Sequence, residues 1–288
     1  MTAEIPTRLV TACQKNAERL NWLKGLPEAL RDLQQRWSLT LEDPFEGDEG
    51  SSAWVAGATL PDRTAAVLKL SMPHMESKHE IEGLRFWNGD PTVQLLKADD
   101  YLDAMLLERC EPGTTLRKMP EAEQDVVIAR LLRRLWRPPS TPHYFHPLSA
   151  MTACWSAETL AQSENWPDAG LISEGLALFK KLSESAPGDV LLATDLHAGN
   201  VLCAQREPWL VIDPKPFVGD PAYDATQHLL NCSARLRFNP ERTIRRFAEL
   251  LGLDHERVRL WAFARTALAA GADWGDAKWL ELARVLGR

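Results

Sequence analysis

Three short apolar runs, Val190 to Ala193, Val201 to Ala204 and Trp209 to Ile212, interrupt a half of the chain otherwise patterned as helix, and this island of strand character narrows the folds open to it. Polar side chains sit at the ends of the runs: Asp195 follows the first, Asn200 directly precedes the second and Asp213 follows the third. A turn at Arg206-Glu207-Pro208 predicts a hairpin that brings Asn200 and Asp213 side by side. Two hard oxygen donors facing one point suit magnesium carrying a nucleotide phosphate. Asp195, one loop away, lies within reach of a substrate hydroxyl. Taken singly, each residue is explained as well by a side-chain-to-backbone turn. Together they match phosphoryl transfer, in which one Asp deprotonates the acceptor while an Asn and a second Asp hold the metal ions.

The first half of the chain tests that idea. Leu9, Cys13, Ala17 and Leu20 mark one opening helix, and Leu26, Leu30, Leu33 and Trp37 a second, with Pro27 in its first turn. Strand-like runs follow at Ser51 to Ala58, Ala65 to Leu70, Val93 to Lys97 and Ala104 to Arg109, the first two joined by a turn at Pro61-Asp62-Arg63. One helix is expected from about His74 to Trp87, stopped by Asn88-Gly89. Lys69 lies inside an apolar strand, where an ammonium is costly without a partner. Glu80, one turn before Leu84, is the expected partner. Glu76 competes from the same helix face, and Glu82 points elsewhere. Glu46 to Ser52 forms a candidate phosphate-covering loop, through backbone N–H groups or Ser51 and Ser52, although it is not G-x-G-x-x-G.

After Glu111-Pro112-Gly113 the pattern is mostly helical, at Val127 to Leu135, Ile172 to Leu182, Val258 to Leu268 and Trp279 to Leu286. The expected organisation is a sheet-rich small lobe over residues 1–109, a hinge near Glu108 to Gly113, and a larger helical lobe over residues 110–288. At 288 residues, two cores with a cleft between them are the natural arrangement. The charge, 33 Lys and Arg against 40 Asp and Glu, disfavours nucleic acid and mildly favours a cationic small molecule. Five cysteines without a C-x-x-C pair suggest neither a disulfide framework nor zinc, and fit a reducing cytoplasm. No apolar stretch is long enough to span a membrane, and the start lacks a signal pattern.

The order Val67-Leu68-Lys69, Glu80, Leu107-Glu108-Arg109, Asp195-Leu196-His197-x-Gly199-Asn200 and Ile212-Asp213-Pro214-Lys215 resembles the antibiotic phosphotransferases of the protein-kinase-like fold. Within these the chain is most similar to the aminoglycoside and hydroxyurea kinases that include the streptomycin 6-kinases, chiefly in Arg206 to Pro216 and Gly219 to Asp224. The resemblance implies an α+β, two-lobed kinase-like fold and a cytoplasmic, ATP- and magnesium-dependent kinase of a polar or cationic small molecule. It implies that Lys69 grips the phosphates, Glu80 holds Lys69, and hinge backbone at Glu108 and Cys110 meets adenine. Asn200 and Asp213 would bind magnesium, Asp195 would be the base, and Lys215 would reach the γ-phosphate or brace a rigid loop. His197, Asp273 and Asp276 are candidates for the acceptor, with Glu158, Glu164 and Asp168 behind them. Asp220 and Asp224 are expected to anchor the loop after the metal site. One departure stands out: the family has His-Gly before the catalytic Asp, where this chain has Ala193-Thr194. That motivates a pseudokinase as the alternative, alongside a kinase of hydroxyurea or another metabolite. A protein kinase is disfavoured, because Asp213 to Tyr223 is too short for an activation segment.

Overall fold

The computed structural model describes residues 4–14, 16–46, 52–272 and 277–287. The chain divides into two compact units, one of residues 1–114 with 203–212 and one of residues 115–202 with 213–288. The first opens with α1 (Thr7–Cys13) and α2 (Ala17–Trp37). Here the expected helix boundary moves. Asn16 caps α2 by accepting the Arg19 N–H, so Ala17 and Leu20 belong to the second helix, and Pro27 lies inside that helix rather than in its first turn.

Five antiparallel strands follow: β1 (Thr40–Pro44), β2 (Ala53–Thr59), β3 (Ala65–Ser71), then after α3 (Glu80–Trp87) β4 (Leu95–Asp99) and β5 (Ala104–Glu108). Their order is β1-β2-β3-β5-β4. The turn at Pro61 to Arg63 joins β2 to β3 as expected, whereas β1 carries too little apolar patterning to be read from sequence. α3 is shorter than its pattern suggests. It begins at Glu80, and residues before it form turns, with the Ser77 hydroxyl donating to the Met72 and His74 carbonyls. Alternation along β3 sends Ala66, Leu68 and Leu70 into a core with Leu26, Leu30, Leu33 and Trp54. The opposite face, with Val67, packs with Ile81, Leu84, Met105 and Leu107.

The second unit contains α4 (Glu121–Leu135), α5 (Leu148–Leu160), α6 (Ala169–Ser183), β6 (Val190–Leu192) and β7 (Val201–Leu202). The chain then returns to the first unit for β8 (Leu210–Val211), which bridges Thr92 in parallel. Arg206 ties the same segment down, donating to the Gly89 and Thr92 carbonyls and to the Glu108 carboxylate. Back in the second unit come β9 (Phe217–Gly219), α7 (Pro221–Asn231), α8 (Ser233–Phe238), α9 (Pro240–Leu251), α10 (His255–Gly271) and α11 (Ala277–Leu286). β9 pairs antiparallel with β6, a partner the sequence reading did not supply. α5 and α7 to α9 were also unanticipated. No helix among the described residues is long and apolar enough to cross a membrane.

Phe179 of α6, Tyr223 of α7 and Trp261 of α10 form the aromatic centre of this unit, with Trp261 edge-on to both rings at centroid distances of 5.6 and 5.2 Å. Small residues let α6 and α10 approach closely. A Cβ added at Gly175 would lie 2.2 Å from the Ala267 Cβ, in a contact that only a backbone shift relieves. Gly175→Ala is therefore expected to destabilise the protein by about 1–3 kcal/mol, outweighing the helix-propensity gain of roughly 0.5–1 kcal/mol. A lower urea midpoint at unchanged slope is the expected reading.

Candidate functional site

In the first unit, strand alternation turns the Lys69 side chain away from the Leu26–Trp54 core and toward the α3 side of the sheet. There its Nζ donates to Glu80 Oε1 and Oε2 at 2.6 and 2.7 Å. Both side chains are buried, at 9% and 2% exposure. Neither charge could occupy this position without the other, because a lone buried ion costs several kcal/mol, typically about 3–5 when one partner is deleted. Glu80 is also the first residue of α3, where the helix dipole favours an anion. Glu76 lies in the turns before the helix, so the face it was expected to share does not exist.

The other residues expected to meet the nucleotide have structural partners. The Glu108 carboxylate takes two donors from Arg206, Nε and Nη2, and the Gln94 N–H. Its backbone N–H donates to the Gln94 carbonyl. Cys110 is half-buried, and burial pushes its thiol up to about 11. Ser52 accepts the Met72 N–H at its carbonyl. Ser51, Asp273 and Asp276 lie outside the described residues. Asp103, not singled out from sequence, lies near enough to Lys69 to feel its charge. Burial nonetheless raises its carboxyl to about 6.

In the second unit the loop between β6 and β7 gathers Asp195, His197 and Asn200. Asp195 Oδ2 accepts Lys215 Nζ at 2.6 Å, and Oδ1 accepts Gln227 Nε2 at 2.6 Å. Asn200 Nδ2 donates to the Asp195 carbonyl at 3.0 Å, which fixes the amide and leaves Oδ1 as the atom available to a cation. Asp213 sits just beyond β8 with φ 51°. His197 feels the charges of both Asp195 and Asp213. An Asn oxygen and a carboxylate are the hard donors magnesium takes. His197 caps the turn that follows it, its Nδ1 accepting the Gly199 N–H at 2.9 Å with Arg117 Nη2 3.4 Å away. Burial, ahead of the opposing charge of Asp195, lowers its pKa and favours the neutral ring this cap requires. The ring therefore braces the loop through Nδ1. Asp168, among the second-rank acceptor candidates, caps α6 and pairs with Arg284.

The replacement of His-Gly by Ala193-Thr194 has a structural answer. Asp224, 1% exposed, accepts the N–H groups of Ala193 and Thr194 at 2.9 and 2.7 Å and the Trp136 indole N–H at 3.1 Å. It thus anchors the loop before Asp195, not the one after the metal residue. Thr194 has φ 46°, the left-handed region, which is strained for a β-branched residue. Its hydroxyl donates to the Lys215 carbonyl at 2.7 Å, while the Lys215 N–H returns to the Ala193 carbonyl. Asp220 caps α7 and accepts Arg257 Nε and Trp261 Nε1. Gln227 was missed from sequence, although its spacing from Asp220 and Asp224, i, i+4 and i+7, already puts the three on one helix face.

Two outcomes follow from these contacts. Thr194→Val keeps the strained backbone but strands the Lys215 carbonyl, and should cost about 1–2 kcal/mol. Thr194→Gly loses the same bond yet relieves strain of roughly 1–3 kcal/mol, so its melting temperature should exceed that of the valine variant. Asp224 supplies a pH test. Burial outweighs its three donors and raises its pKa from 3.8 to about 6. The folded state therefore binds this proton first, and the stability it contributes is complete below pH 3.8 and lost as pH rises through about 6. The stability difference between wild type and Asp224→Asn, from urea titrations, should fall across that window and level off above it.

The family of aminoglycoside/hydroxyurea antibiotic resistance kinases matches residues 36–277. A streptomycin 6-kinase of Streptomyces glaucescens is 34% identical over 278 residues, covering 91% of this chain and 88% of its own. A hydroxyurea phosphotransferase of Kitasatospora aureofaciens is 35% identical over 273 residues, covering 91% and 78%. Among solved structures, a choline kinase from Streptococcus pneumoniae superposes with a TM-score of 0.63 at 14% identity, over 90% of this chain and 99% of that one. An ethanolamine kinase from Plasmodium vivax does so at 0.60 and 12%, over 87% and 83%. These two likenesses establish the α+β protein-kinase-like fold. With that fold beneath it and the family match spanning most of its length, the chain belongs to the aminoglycoside/hydroxyurea antibiotic resistance kinases.

Proposed function

We propose that the protein transfers the γ-phosphoryl group of ATP to a hydroxyl of a small polar antibiotic of the streptomycin kind. The observation that carries this reading is the Asp195 carboxylate, held by a donor on each oxygen and bound through its own carbonyl to Asn200. A carboxylate so fixed can orient an acceptor hydroxyl and take its proton at a remaining lone pair. Lys215 neutralises Asp195 before substrate arrives, and in the reaction it offers its ammonium to the transferring phosphate. Lys69, kept rigid by Glu80, grips the nucleotide phosphates. Asn200 and Asp213 hold magnesium, which supplies charge neutralisation on the phosphate oxygens. Asp224 and Thr194 brace the loop where the family's His would, which favours turnover over a pseudokinase role. Hydroxyurea remains the second acceptor in view, because the hydroxyurea phosphotransferase is as similar in sequence as the streptomycin 6-kinase.

The test is ADP release with streptomycin and with hydroxyurea, each in magnesium and ATP. Asp195→Asn should lower kcat on the order of 10²-fold or more while the ATP-induced thermal shift persists. Turnover within a few-fold of wild type would remove Asp195 as the base. Lys69→Ala should impair ATP use strongly and Glu80→Ala less, with the double variant no worse than Lys69→Ala, since the pair acts as a unit. A streptomycin KM that climbs with ionic strength marks a cationic acceptor, whereas hydroxyurea, being neutral, should show none.

A further inference from the structure

We propose that Gln227 and Arg265 form a positioning arm that fixes the Asp195 carboxylate for proton transfer. The inference rests on the reading of Asp195 as the base. Gln227, on α7, donates from Nε2 to Asp195 Oδ1 at 2.6 Å. The other end of its amide, Oε1, accepts Arg265 Nη2. Arg265, on α10, is itself held. Its Nη1 donates to the Thr226 hydroxyl at 2.7 Å, and its guanidinium lies 4.6 Å from the centroid of the buried Tyr223 ring.

The logic of the arm is one of donors and acceptors. A glutamine amide can present either end to a neighbour, and its carbonyl against a carboxylate would repel it. Arginine has donors only. By claiming Oε1, Arg265 leaves the NH2 group as the one end that can face Asp195. The terminal torsion of an aspartate is broad and roughly two-fold, so a single donor on Oδ2 from the flexible Lys215 leaves the plane of the carboxylate free to swing. A second donor on Oδ1, from a rigid helix, fixes that plane. Because the amide is neutral, it does so without adding charge beside the group that takes up the proton. Lys215 is then free to leave Oδ2 for a phosphate while Asp195 stays in place.

Gln227→Glu separates positioning from mere packing. The variant is isosteric and keeps, or strengthens, the contact with Arg265, so a purely structural role predicts unchanged turnover. The positioning role predicts a fall in kcat on the order of 10²-fold with the ATP KM unchanged, because a carboxylate now faces Asp195. Gln227→Leu should lower kcat by about 10-fold, and Arg265→Met should do the same by freeing the amide, with the double variant Gln227→Leu/Arg265→Met no worse than either alone. Arg265→Lys, which keeps one donor on Oε1, should recover most of the loss. Turnover is measured with whichever of streptomycin and hydroxyurea the wild type phosphorylates. A Gln227→Glu enzyme within two-fold of wild-type kcat, or losses that multiply in the double variant, would overturn the arm while an inactive Asp195→Asn left the base in place. An active Asp195→Asn would remove the base, and the arm with it.

Discussion

The buried carboxylate of Asp224 is the point from which the 193–200 loop hangs. Two consecutive backbone N–H groups, of Ala193 and Thr194, have no strand partner where the chain leaves β6, and an unmet buried donor costs about as much as a lost hydrogen bond. Asp224 satisfies both at once and takes the Trp136 indole as a third donor. The start of the loop is therefore held by a helix residue distant in sequence. From these two amides the chain passes through Thr194 in the left-handed region to Asp195, whose carboxylate meets Lys215 and Gln227.

α7 does most of this work because its residues serve in succession. Asp220 caps the helix and binds Trp261 and Arg257, Asp224 holds the loop, and Gln227 reaches Asp195. Tyr223 touches both the Arg265 guanidinium and the Trp261 ring, so the aromatic core of the unit and the polar arm share a residue. In the first unit the solution is different. Lys69 gets its rigidity from one buried ion pair between a strand and the first residue of a helix, where the partner's position is set by where α3 begins.

Much of this could be read along the chain. The alternation in β2, β3 and β5, the turn at Pro61 to Arg63, and the choice of Glu80 over Glu76 for Lys69 all came from periodicity and the cost of burying a charge. So did the placing of Asp195, Asn200 and Asp213 around short strands. What could not be read depends on partners distant in sequence. β9 is a three-residue strand whose pairing partner, β6, lies about 25 residues away in sequence. Arg265 lies far from Asp195 in the chain and has no local pattern that marks it as anything but a surface cation. That the His197 ring accepts the Gly199 N–H likewise depends on the turn the loop adopts. The role of Asp224 was half legible, as an anchor, but which loop it anchored required the fold.

The return of residues 203–212 to the first unit means that neither unit is encoded by an uninterrupted stretch of sequence. Arg206 arrives from late in the chain to meet Glu108, Gly89 and Thr92. A single crossover between two relatives, placed anywhere from residue 115 to 202, would join one parent's sheet to the other's Arg206 segment. Wholesale exchange of a half between relatives thus carries a foreign clasp with it.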